Sequence, residues 1–228
     1  APLERGTLIR RYKRFLADFR LSDGSVVTAH CANTGSMLGC LEPGAPALLW
    51  DAGISQRVTR YSWKAIRIGK VWVGIDTQLP NRLVEAAIAG CEIASLADYA
   101  GIRREVRMGA DSRVDLLLQS DWLPDCYVEV KNVTLVNKGV ARFPDAVTVR
   151  GRKHLEELQR VVAGGSRAAM VFLVQRADAG IFMPADDIDP AYGAALRQAC
   201  KQGVEIYVLS SRVERRGVHS VGLLDFSL

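Results

Sequence analysis

The 228-residue chain is 49% hydrophobic and 24% charged, enough for one large domain or two small ones. It has neither an apolar run of about eighteen residues nor a signal-peptide core at its start, so a cytoplasmic protein with no membrane partner is expected. Its five scattered cysteines lack a Cys-x-x-Cys and exclude a disulfide framework or zinc knuckle, and its net charge of +5 is unevenly placed: residues 1–82 hold 12 Lys and Arg against 6 Asp and Glu, residues 83–228 hold 18 against 19.

The chain opens with strand patterns. Leu8 to Leu21 reads as one long β-rich run, Ser22-Asp23-Gly24-Ser25 as a hairpin turn, and Val26 to Cys31 as its partner strand. Ala47 to Trp50, Ser62 to Ile68 and Val71 to Ile75 are further short strands, with Gly69-Lys70 as a turn. This small, basic β set is compatible with an OB-like barrel over residues 1–80, and equally with another small barrel. Seven of the 16 aromatics (Tyr12, Phe15, Phe19, Trp50, Tyr61, Trp63 and Trp72) fall in this basic third. Cations interleaved with aromatics suit a phosphate backbone and stacked bases, although a core role explains each aromatic taken singly. Arg10, Arg11, Lys13, Arg14, Lys64 and Arg67 are the candidate nucleic-acid contacts here.

After Pro80 the period changes. Leu83, Val84, Ala87 and Ile88 form one helical face, closed by Gly90. Strands follow at about Arg103–Met108 and Arg113–Leu118, then a third at Cys126–Lys131. Next come a helix from Arg150 to Ala163, a strand from Ala168 to Gln175, a helix from Ala191 to Gln202 and a strand from Val204 to Ser210. This order implies an α/β unit over residues 81–228, a mixed sheet flanked by helices.

Two of these strands carry acids. Asp115 sits in the apolar run Val114-Asp115-Leu116-Leu117-Leu118, and Glu129 and Lys131 share one face of their strand because strand side chains alternate. Paired, the strands bring two carboxylates beside one ammonium. Burying an unpaired carboxylate costs several kcal/mol, and one lysine cannot neutralise two acids. Mg2+ or Mn2+ held by Asp115, Glu129 and the Val130 carbonyl would, and such a centre suits phosphodiester hydrolysis. A plain ion pair is the alternative, since an Asp separated by thirteen residues from a Glu-x-Lys is a common spacing. Asp125 of Pro124-Asp125 is too near Glu129 to serve and reads as a turn residue.

The order helix, strand, Asp-bearing strand, Glu-x-Lys strand, helix, strand resembles the PD-(D/E)XK nuclease superfamily. More specific wording lies in four separated motifs: His30-Cys31-Ala32-Asn33-Thr34-Gly35-Ser36-Met37, Ser112-Arg113-Val114-Asp115, the run Tyr127 to Leu135, and Phe143-Pro144-Asp145-Ala146-Val147-Thr148 with Arg150-Gly151. Together they resemble the sugar fermentation stimulation protein A (SfsA) family over nearly the whole chain. That resemblance implies an N-terminal OB-type domain, a PD-(D/E)XK-type domain and sequence-nonspecific DNA binding, linked genetically to sugar metabolism, maltose in particular. It puts the nuclease pattern on Asp115, Glu129 and Lys131, with Glu85 as the first-helix acid. RNA is the alternative nucleic acid, and monomer or homodimer stays open.

In the active reading Lys131 positions the attacking water, and Glu85 completes a second metal site or is an exposed helix acid. Lys153, His154 and Glu157 meet the scissile phosphate or merely solvate their helix. The polar loop of His30, Asn33, Thr34 and Ser36 grips phosphate or stabilises its own turn. A noncatalytic DNA-binding factor acting on sugar-utilisation genes is the competing expectation. It leaves unexplained why two carboxylates stand where phosphate should approach.

Overall fold

Alternating burial shapes the first third of the chain into six strands: β1 (Leu3–Tyr12), β2 (Leu16–Leu21), β3 (Val26–His30), β4 (Pro46–Asp51), β5 (Tyr61–Ile68) and β6 (Val71–Gly74). The computed structural model describes residues 3–53, 58–108, 112–214 and 216–228. The strands run in the order β3-β2-β1-β4-β5-β6, and a parallel pairing of β3 with β5 closes the first five into an OB-like barrel. Leu8, Phe19, Leu49, Trp63 and Ile66 fill its interior, with Phe19 edge-on to Trp63 at 5.1 Å between centroids. The run Leu8 to Leu21 is two strands, not one. The chain reverses at Lys13 and Arg14, whose φ angles of 50° and 63° are left-handed. Neither residue is a usual signal for that conformation, so the hairpin leaves no local mark in the sequence.

The rest of the chain holds α1 (Pro80–Ala89), β7 (Gly101–Met108), β8 (Ser112–Gln119), β9 (Cys126–Val133), β10 (Leu135–Asn137) and β11 (Val140–Phe143). These are followed by α2 (Val149–Ala163), β12 (Arg167–Val174), β13 (Ile181–Pro184), α3 (Pro190–Lys201), β14 (Glu205–Glu214), β15 (Gly217–Leu223) and β16 (Asp225–Phe226). Pro80 opens α1, where its missing N–H matters least. The Thr148 hydroxyl caps α2 by accepting from Gly151 N at 3.0 Å.

The main sheet has the order β15-β14-β12-β9-β8-β7 and is mixed: β12 is parallel to both neighbours, and the outer pairs are antiparallel. β12 is buried on both faces, as a central strand between helices should be. Its Met170 and Phe172 pack in the layer of α2 and α3, while Val171 and Leu173 pack in the layer of α1. A small second sheet, β10-β11-β13-β16, is absent from the sequence reading, as is β15. The strands of that sheet span two to four residues, too few for alternation to register. Among the described residues no helix is long and apolar enough to cross a membrane.

Barrel and sheet unit are hydrogen-bonded together. Ser36 Oγ donates to the Asp145 carbonyl at 2.8 Å, and Met37 N donates to Asp145 Oδ2 at 2.9 Å. Gly74 N donates to the Gln175 carbonyl at 2.9 Å, and a Cβ at Gly74 would collide with the Gln175 side chain. Glycine is required there by close approach, not by backbone angle.

Candidate functional site

The β8–β9 ladder pairs Leu118 with Cys126, Leu117 with Tyr127 and Leu116 with Val128, and then stops. The next residues in that register are Asp115 and Glu129. Where the strands part, the Asp115 side chain replaces the missing ladder partner: Oδ2 accepts from Val130 N at 2.8 Å. Asp115 Oδ1 accepts from Asn81 Nδ2, on the first turn of α1, at 2.8 Å. A strand residue turns its N–H and C=O to the same neighbour, so the Val130 carbonyl faces the gap as well.

Glu129 is 3% exposed. Its Oε1 accepts from Lys131 Nζ at 2.6 Å and from His154 Nδ1 on α2. Arg150 Nε donates to His154 Nε2 at 3.3 Å, and Lys131 Nζ lies 3.2 Å from His154 Nδ1, so the ring is held with Nδ1 against Glu129. Glu129 Oε2 is buried and has no hydrogen-bond partner. Burial pushes the Glu129 carboxyl upward, but the His154 hydrogen bond and the Lys131 charge outweigh it and hold the group below the usual range. Asp115 goes the other way, raised by burial and by the Glu129 charge despite the donors Val130 and Asn81. Two neighbouring acids are thus driven apart in pKa, a pattern concentrated at functional sites.

Asp115, Glu129 and His154 line a cleft of about 650 Å3. Its other lining residues include Glu105, Arg113, Arg150, Lys153 and Glu157. Glu157 Oε2 is a second buried carboxylate oxygen without a partner. Among the described residues, no three His, Cys, Asp or Glu side chains are arranged to hold a metal ion. Any cation here would rest on two carboxylates, a carbonyl and its own waters or a substrate oxygen, the arrangement Mg2+ commonly takes.

The structure brings Asp115, Glu129, Lys131, Lys153 and His154 together and leaves Glu85 aside. Glu85 lies one helical turn beyond Asn81, does not line the cleft, and is ion-paired with Arg104. The barrel cations divide. Arg10 pairs with Asp18 at 2.9 Å, and Lys64 pairs with Asp76 at 2.5 Å beneath the Trp50 ring. Arg11 donates to the carbonyls of Arg14, Asn33 and Gly35, which ties down the polar loop. Lys13, Arg14 and Arg67 are exposed. Glu105, Arg113 and Arg150 were not singled out as site residues from the sequence. Arg113 and Arg150 fall inside the motifs read there, whereas Glu105 gives no signal beyond its left-handed φ of 53°, visible only in the fold.

The family model described as the sugar fermentation stimulation protein RE domain matches residues 78–217, and that of the SfsA N-terminal OB domain matches residues 9–75. The chain belongs to the SfsA family. Curated SfsA relatives, each named a sugar fermentation stimulation protein homolog, are closely similar. The protein of Geotalea uraniireducens is 53% identical over 98% of this chain and 96% of its own. That of Geobacter sulfurreducens is 55% identical over 90% of this chain and 87% of its own. Among solved structures, Pyrococcus furiosus SfsA, described as a complex with Ca2+, superposes with a TM-score of 0.91 at 28% identity, covering 100% of this chain and 97% of that one.

Proposed function

We propose that this SfsA family member is a divalent-cation-dependent nuclease that binds DNA and hydrolyses its phosphodiester bonds in the β8–β9 cleft. The observation that carries the reading is the unpartnered, buried Glu129 Oε2 beside Asp115 at the point where two strands part. A buried anionic oxygen without a donor is expensive, and a cation offsets it. Mg2+ or Mn2+ fits the hard oxygen donors of Asp115, Glu129 and the Val130 carbonyl. The Pyrococcus furiosus relative, described with Ca2+, lends this fold a precedent for a divalent cation. When bound, the cation supplies Lewis-acid charge for a phosphodiester.

The chain's own groups do the rest. Lys131, 2.6 Å from Glu129, holds the attacking water and faces the charge that builds on the phosphate. His154, oriented by Arg150, keeps Glu129 Oε1 occupied and so directs Oε2 to the cation. Arg113, Arg150 and Lys153 give the acidic floor a cationic rim on which a phosphate backbone can lie. The exposed barrel residues Lys13, Arg14 and Arg67 extend the polyanion surface.

The test is cleavage of single-stranded, duplex and branched DNA, and of RNA, with Mg2+, Mn2+ or EDTA. Wild-type cleavage should vanish in EDTA and fall by about 10³-fold in Glu129→Gln and Lys131→Ala. A second reading, a noncatalytic DNA-binding factor for sugar-utilisation genes, draws on the occupation of Glu129 Oε1 by Lys131 and His154. Salt-sensitive binding with no cleavage under any of these conditions would favour it.

A further inference from the structure

Most arginines with a mapped partner face a carboxylate. Arg10, Arg60, Arg104, Arg142, Arg167 and Arg197 each form an ion pair with an Asp or Glu. Arg107 and Arg113 do the opposite. They are direct partners across the β7–β8 hairpin, so their side chains rise from the same side of the sheet. Both are exposed, and neither has a carboxylate partner among the described residues. Like charges set directly opposite one another destabilise a hairpin. Arg113 also lines the cleft that holds Asp115 and Glu129. It lies two residues from Asp115 along β8, a separation of about 7 Å. That is the reach of the next phosphate on a strand whose scissile phosphate sits at Asp115.

We propose that Arg107 and Arg113 form a cross-strand phosphate clamp, which grips the nucleic-acid backbone one phosphate away from the bond to be cut. The clamp rests on the nuclease reading of the cleft and adds to it the substrate contact that sets the strand's position. Two guanidinium groups converging on one anion present paired N–H donors in the geometry that suits phosphate. Without a polyanion neither guanidinium has a carboxylate partner among the described residues. With one the pair is neutralised. It puts the decisive contact on the second domain, not on the barrel.

The experiment measures binding of fluorescent single-stranded and duplex DNA over a KCl series, in Ca2+ and again in EDTA. It compares wild type, Arg107→Gln, Arg113→Gln, the double variant and Arg212→Gln, an exposed arginine on β14 far across the sheet. Each clamp variant should lower the slope of log affinity against log salt by about 0.9 on duplex or about 0.7 on single strands, and Arg212→Gln should leave it unchanged. If both arginines hold one phosphate, the double variant should lose no more slope than a single. Without DNA, either clamp variant should melt about 1–3 °C higher at low salt, as the repulsion is relieved. Wild-type binding with clamp variants no different from Arg212→Gln would overturn the clamp while leaving nucleic-acid binding intact. A lower melting temperature in the clamp variants would overturn it too, by showing the pair to be satisfied within the fold. No wild-type binding to any DNA would sink the clamp and the nuclease reading together.

Discussion

Asp18 in the barrel and Asp115 in the cleft are both carboxylates in β-strands that water reaches poorly, and they are treated in opposite ways. Asp18 accepts from Arg10 Nε at 2.9 Å, Tyr12 OH at 3.0 Å and Thr28 Oγ1 at 2.8 Å. Burial pushes its pKa up, but Arg10, Thr28 and Tyr12 together hold it below the usual range. Asp115 has two neutral donors and a second carboxylate as neighbour, and its pKa is raised. The barrel neutralises its acid from within. The cleft leaves charge over, in Asp115 and in the unpartnered Glu129 Oε2. An internally satisfied anion stabilises the fold, whereas a buried one left without a partner lowers its stability.

The sharpest test of that contrast is the divalent cation itself. At about a hundred times its dissociation constant, Mg2+ or Mn2+ should stabilise the wild type by about 2.7 kcal/mol in calorimetry. The gain should persist in Asp18→Asn and disappear in Asp115→Asn. Next in size, Asp18→Ala should lose about 2 kcal/mol in urea denaturation, because it strands Arg10, Tyr12 and Thr28. A loss below about 0.5 kcal/mol would make the barrel acid no more structural than the cleft acid.

Asp115→Asn should move stability the other way, by about +1 kcal/mol without metal, since it removes a repelled charge and can still pair with Asn81 and Val130 N. Destabilisation would mean that the Asp115 charge is already compensated in the fold. The smallest effects are in pH. The lowered Asp18 pKa adds stability present above about pH 4 and lost as pH falls through its folded value. The raised Asp115 pKa costs stability at neutral pH, and that cost is relieved as pH falls through its folded value, above about pH 4. Wild type and Asp115→Asn should therefore converge on acidification, while wild type and Asp18→Asn converge only at still lower pH. Parallel curves would remove the contrast.

The cleft's centre was readable because its signal is local. An acid inside Val114-Asp115-Leu116-Leu117-Leu118 conflicts with its own strand, and Glu-x-Lys puts two opposite charges on one face whatever the strand packs against. The role expected of Glu85 was not readable in this way. Helical spacing puts Asn81 and Glu85 on one face, and only the docking of α1 brings the first to Asp115 and the second to Arg104. Arg10 and Lys64 were read as candidate nucleic-acid contacts in a basic segment, but Asp18 on the neighbouring strand engages the first and Asp76, just after β6, engages the second.

The sequence by itself determined the two-part architecture, the strand and helix order around the acids, and the placement of Asp115, Glu129 and Lys131 in apolar strands. Periodicity and the penalty for buried charge act on neighbouring residues, and they leave their mark in one dimension. Tertiary structure alone decided where the β8–β9 ladder ends, that His154 joins Lys131 on one oxygen of Glu129 and leaves the other without a partner, and that Arg107 stands opposite Arg113. Each of these depends on register or on the docking of elements distant in sequence, where one residue's shift turns a side chain to the other face.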